Sequence, residues 1–170
     1  MIDRDYCLTM ARYNQWMNER LYEGCAGIAD ADRRRDLGAF FRSVHGTLNH
    51  LLWADRVWMS RFTGGERPAT GPADELYADF DALRAARGEM DMAILDWAGT
   101  LDEAWLRSTF TWTSGADGST RSRPAWILVT HLFNHQTHHR GQLTTLMMQL
   151  GRDPGVTDLP WMPGVERTAG

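Results

Sequence analysis

The sequence predicts an all-α four-helix bundle with a small β-hairpin inserted before its fourth helix. Three observations lead there. Four long segments carry apolar residues at steps of three and four, the repeat of one helix face. One stretch alternates instead, Thr109-Phe110-Thr111-Trp112-Thr113, and an Asp117-Gly118 tight-turn signal follows it. The 170 residues suit a single domain spanning 1–170, since one hydrophobic core serves about 100–200 residues.

The first helix is expected from about Asp3 to Gly24, with Ile2, Tyr6, Met10, Tyr13, Met17 and Leu21 on one face. The second is expected from about Asp36 to Arg61, before Thr63-Gly64-Gly65, with Leu37, Phe40, Val44, Leu48, Leu51, Trp58 and Phe62 as its stripe. The third follows Gly71-Pro72 and runs to about Gly99 through Leu76, Phe80, Leu83, Met90, Ile94 and Trp97. The hairpin occupies Ser108 to Arg121. The fourth helix begins near Ser122 or Arg123, with Pro124 at a first helical position, and ends at Gly151, a residue suited to a left-handed cap. The tail from Arg152 to Gly170 is expected to be irregular, pinned to the bundle by Trp161 and Met162.

Composition removes several function classes. Hydrophobic residues make up 43% and charged residues 24%, a globular balance that argues against disorder. No apolar run approaches the roughly 20 residues of a membrane span, so no membrane partner is expected. All 18 basic residues are arginines, dispersed among 22 acids, so no basic stripe argues for nucleic acid. The start, MIDRDYCLTM, has acids and no apolar core of a secretory signal, so the expectation is a cytoplasmic protein. Cys7 and Cys25 do not form a CxxC pair and read as reduced thiols in or near the core.

The chemistry concentrates in the fourth helix. His131, His135, His138 and His139 fall within nine residues. With His135 set at zero, Leu128, Leu132, His139, Leu143, Leu146 and Leu150 fall at about +20° to +80° around the helix. His135 and His139 therefore sit within the apolar stripe that faces the core. His131 and His138 lie toward its edge, at about −40° and −60°, and Gln142 at about −20°. Two imidazoles one turn apart on a buried face can reach one metal ion, whereas a lone core histidine is more often satisfied by hydrogen bonds alone. A third ligand must come from another helix. His45, His50 and Asp55 are the candidates on the second helix, and periodicity does not choose among them. Asp55 lies within the stripe and must find a partner: the metal, a ligand imidazole, or Arg12 or Arg20 of the first helix. Gln136 stands where a zincin protease has its glutamate base. Glu-x-x-His, the P-loop and GxSxG are absent.

The stretch HLFNHQTHHRGQL, His131 to Leu143, resembles the DinB family signature. GTLNHLLWADRVW (Gly46 to Trp58) resembles that family's second-helix motif. ARYNQWMNERL, the DG hairpin and LGRDPGVTDLPWMPG agree in matching order along almost the whole chain. The resemblance implies a DinB/YfiT-like bundle with three histidines holding one divalent metal, carried by position onto His50, His135 and His139. Imidazole ligands suit zinc or nickel foremost, with manganese or iron as further options. Some relatives are S-transferases using bacillithiol, mycothiol or glutathione, and related enzymes isomerise maleylpyruvate with a thiol; many are homodimers. The expectation is a metalloenzyme of the thiol-dependent S-transferase type acting on a small molecule. The alternatives are a metal-dependent hydrolase and a non-catalytic, metal-stabilised stress-response protein. Asp55, His131, His138 and Gln142 are candidates for orienting the ligands or carrying protons. A homodimer would draw on leftover apolar positions such as Trp53 and Val57, which core packing accounts for equally well. No thiol-binding motif is recognisable, and no catalytic residue is singled out.

Overall fold

The computed structural model describes residues 2–115 and 117–165. Four long helices form the bundle: α1 (Arg4–Ala26), α3 (Val44–Thr63), α4 (Phe80–Thr100) and α6 (Ala125–Gln149). Two short helices, α2 (Asp30–Arg34) and α5 (Glu103–Arg107), sit in the connections. The hairpin pairs β1 (Thr109–Thr113) with β2 (Thr120–Pro124), antiparallel, with Phe110 opposite Arg123 and Trp112 opposite Arg121. The principal helix contacts run α1 to α4, α4 to α3, α3 to α6 and α6 back to α1. The connections α1 to α3 and α4 to α6 therefore cross between elements that are not principal neighbours. Each carries structure of its own: α2 in the first, and α5 with the hairpin in the second.

Local chemistry sets the ends. Asp3, Ser43 and Asp79 accept hydrogen bonds from the backbone N–H groups of Tyr6, Gly46 and Ala82, capping α1, α3 and α4. Gly151 adopts φ 71°, as expected of a left-handed cap. The N–H groups of Gly151 and Arg152 reach back to the carbonyls of Met148 and Met147.

Several boundaries differ from the sequence reading. The second long helix begins at Val44, not Asp36. The Asp36 carboxylate accepts from Gly38 N–H and pairs with Arg42, a local arrangement that competes with helix. The third begins at Phe80, after a loop with Gly64 at φ 72°, although Leu76 still packs on the core from that loop. Pro124 ends β2 and stands at the cap position of α6, ahead of the first helical residue. At a strand end the missing N–H of proline costs nothing. In the tail, Met162 is buried and Leu159 packs on the core beside it, but Trp161 is 69% exposed and is not an anchor. Tyr13 hydroxyl and Arg20 hold the carbonyls of Thr157 and Val156. The expected tail beyond Val165 lies outside the described residues. Val57 is buried, and Trp53 donates to the carbonyl of Thr70, so both positions are engaged within the chain. No helix of the described residues is long and apolar enough to cross a membrane.

The core is in two parts. Met17, Leu21, Leu48, Leu52, Leu83 and Leu143 belong to one cluster, and Ala11, Met59, Ile94, Leu132 and Phe133 to the other. A buried polar group of residues from all four long helices accompanies them: Asn14, Asn18, Asp55, Arg87, Asp91, Gln136 and Arg140. Arg87 binds Asp55 at 2.6 Å and Asp91 at 2.9 Å. Asn18 donates to Asp91 at 2.8 Å, and Arg140 donates to Asn14. Burial raises the pKa of Asp55 against the pull of Arg87, and pushes Asp91 up to about 6. Cys7 and Cys25 are free and buried, and burial raises their thiols to about 11 and about 12. Neither is a thiolate at neutral pH.

Arg87→Met leaves two buried carboxylates without their cation. The expected loss is about 3–5 kcal/mol in urea unfolding. A loss below about 1 kcal/mol would show that Arg87 does not hold these helices together.

Candidate metal centre

His50 comes from α3, and His135 and His139 come from successive turns of α6. The three imidazoles each offer one nitrogen, and these atoms lie within 4.8 Å of one another. His135 Nε2 is 3.4 Å from His50 Nε2 and 3.1 Å from His139 Nε2. Two nitrogens bonded at 2.0–2.1 Å to a tetrahedral ion stand about 3.3 Å apart. The spacing therefore fits three ligands on one ion.

The tautomers point the same way. His50 Nδ1 faces the carbonyl of Pro72 at 2.8 Å, which can only accept, so Nδ1 carries the proton. His139 Nδ1 faces Gln142 Oε1 at 2.8 Å, while the Gln142 amide nitrogen donates to His138 Nε2 at 3.3 Å. Both Nε2 atoms are thereby lone-pair acceptors aimed at a common point. A proton on His135 Nε2 can satisfy only one of them, whereas a single cation satisfies all three rings. Burial keeps all three rings neutral: His50 is lowered to about 4, His135 to about 3, and His139 is also lowered. The neighbours that make protonating His135 costlier still are His139, His50, His131 and His138.

One wall of the site is aromatic. Phe41 stacks on His50 at 3.7 Å between centroids and meets His139 edge-on at 5.4 Å. Trp53 flanks His50 at 6.0 Å. Phe41 reaches this position from the loop before α3, where Arg42 takes a left-handed φ of 66°. Gly46 is required there, because a Cβ would stand 2.3 Å from the Phe41 carbonyl oxygen. His50 and His139 are buried and His135 is half-buried, so the accessible side of the cluster lies at His135.

Not every residue expected near the site belongs to it. Asp55 is fully buried in the ion pair with Arg87 of α4. It orients no ligand imidazole, and its partner is neither Arg12 nor Arg20. Gln136 is buried, and its amide faces Asp55, not the histidines. His45 is buried with Nε2 on the carbonyl of Tyr77 at 2.9 Å, a structural role. Gln142 does contact a candidate ligand and links it to His138. His131 lies 5.6 Å from His135, ring to ring, and packs on Trp58. Phe41 and the Pro72 carbonyl are additional site groups. The Phe40-Phe41 pair beside Gly38 is the sequence signal for the first; nothing in the sequence marks the second.

The DinB family profile matches residues 1–168. This chain belongs to the DinB family. The protein DinB of Bacillus subtilis strain 168 is 22% identical over 158 residues, covering 91% of each chain. A DinB-like protein from Bacillus cereus ATCC 10987, known from a crystal structure, shares the fold with a TM-score of 0.62 at 19% identity. The match covers 89% of this chain and 91% of that one. Within this DinB-family chain, the two motifs that carried the resemblance are the ones that place His50 against His135 and His139.

Two outcomes test the geometry. Gln142→Ala removes the acceptor that orients His139 and should weaken metal affinity about 10- to 100-fold, measured by competition with a chelator. The second concerns pH. Between pH 6.5 and about 4, the unfolded chain takes up protons that the native His50 and His135 refuse. Stability of the metal-free protein should therefore fall as pH drops through that window, and His135→Gln should flatten the fall. Asp91, pushed up to about 6, acts in the opposite direction in both proteins, so the comparison decides: the same pH dependence in His135→Gln as in the native protein would show that His135 is not held neutral.

Proposed function

We propose that this DinB-family chain binds one divalent metal ion through His50, His135 and His139 and is a metalloenzyme of the thiol-dependent S-transferase type. The observation that carries the metal reading is the convergence of three neutral imidazole nitrogens within 4.8 Å. Zinc or nickel suits three borderline nitrogen donors best, with manganese or iron as further options. A divalent ion held by three neutral ligands retains its charge and can hold a thiol as thiolate or lower the pKa of bound water to about 7.

The surroundings favour a thiol over water as nucleophile. A water-activating hydrolase of the zincin kind uses a carboxylate base. Among the described residues no carboxylate joins the histidine cluster, Asp55 is committed to Arg87, and Gln136 faces away. The rings of Phe41 and Trp53 shield one side from water. His131 has its pKa lowered by burial and by Arg61, so its imidazole is neutral and able to accept the proton of an incoming thiol. The thiol sulfur then forms a bond to an electrophilic carbon, and the leaving group departs with the electron pair of the bond that breaks. The proposed setting is the cytoplasm and the proposed substrate a small electrophile.

Elemental analysis of freshly purified protein should find one divalent ion per chain. His50→Ala, His135→Ala and His139→Ala should each lose it, while His45→Ala should keep it. Retained metal in any of the first three would remove that residue from the ligand set. The loaded protein should consume bacillithiol, mycothiol or glutathione in the presence of an aryl halide, at least tenfold above the metal-free rate. No consumption with any of the three would refute the transferase reading and leave the metal site standing.

A further inference from the structure

One arginine stands out beside the histidine cluster. Arg61 lies 11 residues after His50, so it returns to within about 20° of the same face of α3. Its guanidinium lies over the ring of Trp58, 4.4 Å from the centroid. Trp58 meets His131 edge-on at 5.0 Å and Trp112 of β1 at 5.9 Å. His131 in turn lies 5.6 Å from His135. These contacts form a continuous strip from the cluster to Arg61, half-buried along most of its length.

Charge distinguishes this strip from core packing. The other arginines withdrawn from solvent, Arg20, Arg33, Arg56, Arg87 and Arg140, each donate to a carbonyl, carboxylate, amide or hydroxyl oxygen. Among the described residues Arg61 has no acid within ion-pair distance, although it is half-buried. Burial and the neighbouring cation Arg67 both lower its pKa. A half-withdrawn guanidinium beside a second guanidinium is completed by an anion. The purely structural aromatic cluster lies next to it: Phe62 stacks on Trp97 at 5.0 Å and meets Trp105 and Phe110 edge-on. Trp58 joins the two: it lies 5.7 Å from Phe62 of that stack and also meets Trp112 and His131.

We propose that this strip binds the carboxylate-bearing end of the small-molecule ligand, with Arg61 holding the carboxylate and Trp58 and Trp112 flanking the ligand's body. From His50 to Trp58 the helix rises about 12 Å. An extended peptide spans roughly 3.3–3.6 Å per residue, so a compound of about tripeptide size bridges the distance. The strip would thus orient the thiol already proposed, its sulfur at the histidines and its carboxylate at Arg61. The sulfur end rests on the transferase reading above; the anion subsite does not.

The test separates the two. In metal-free protein, 2-naphthoate and the uncharged 2-naphthalenemethanol are titrated while the indole N–H signals are followed by NMR. Naphthoate should bind at least tenfold more tightly. Arg61→Gln should abolish that difference, Arg61→Lys should retain part of it, and Trp112→Leu should weaken both probes. Equal affinity of the two probes for the native protein would overturn the subsite, as would naphthoate binding unchanged in Arg61→Gln. In cobalt-loaded protein, reduced glutathione and the carboxylate-free thiol cysteamine are followed by thiolate-to-metal absorption. Arg61→Gln should weaken glutathione at least tenfold and leave cysteamine unchanged. Equal weakening of both would overturn the assigned ligand orientation. Silence from both thiols, with the naphthoate result intact, would refute the thiol reading and uphold the anion subsite.

Discussion

Two ring hydrogens, one on His50 and one on His139, govern the chemistry of this protein. The Pro72 carbonyl holds the first on Nδ1, and the Gln142 side-chain oxygen holds the second. With those positions taken, the Nε2 atoms of both rings present lone pairs toward His135. Burial then makes proton uptake costly, so the rings remain neutral, as metal ligands must. Stacking by Phe41 prevents His50 from rotating away.

The bundle supports this arrangement through a second set of polar contacts that never touch the histidines. Asp55 follows His50 by five residues on α3, and Gln136 and Arg140 adjoin His135 and His139 on α6. Their side chains point to the opposite side of each helix, into the group centred on Arg87. The same two helices are thus tied on one side by buried charge and meet on the other through the histidines. A buried ion pair of this kind is a weak source of net stability, but it penalises alternative registers by leaving charges unpaired. In this protein the register it selects is the one that sets His50 opposite His135.

The loops complete the site. The segment after α3 supplies the carbonyls of Thr70 and Pro72, and the segment before α3 supplies Phe41. The hairpin contributes Trp112 beside Trp58. The α1–α3, α3–α4 and α4–α6 connections each leave enough chain at the bundle surface to build these walls.

Helical period and the Gly151 stop are legible from the order of residues, because they depend on neighbours three and four apart; the Ser43 and Asp79 caps are not, since the apolar spacing runs on past them. So was the meeting of His135 with His139, one turn apart on an apolar stripe. The choice of His50 over His45 was not legible from period, since both flank the stripe; the family resemblance pointed to His50, and the fold sets His45 against Tyr77 instead. The start of α3 was misjudged because Leu37 and Phe40 happen to continue its spacing, while Asp36 and Gly38 bond locally. Asp55 finding Arg87, not an arginine of the first helix, and Arg61 lying beside the histidines depend on which helices are neighbours. Local periodicity carries no information about that order. It is decided only when the two cores and the buried charges are satisfied together.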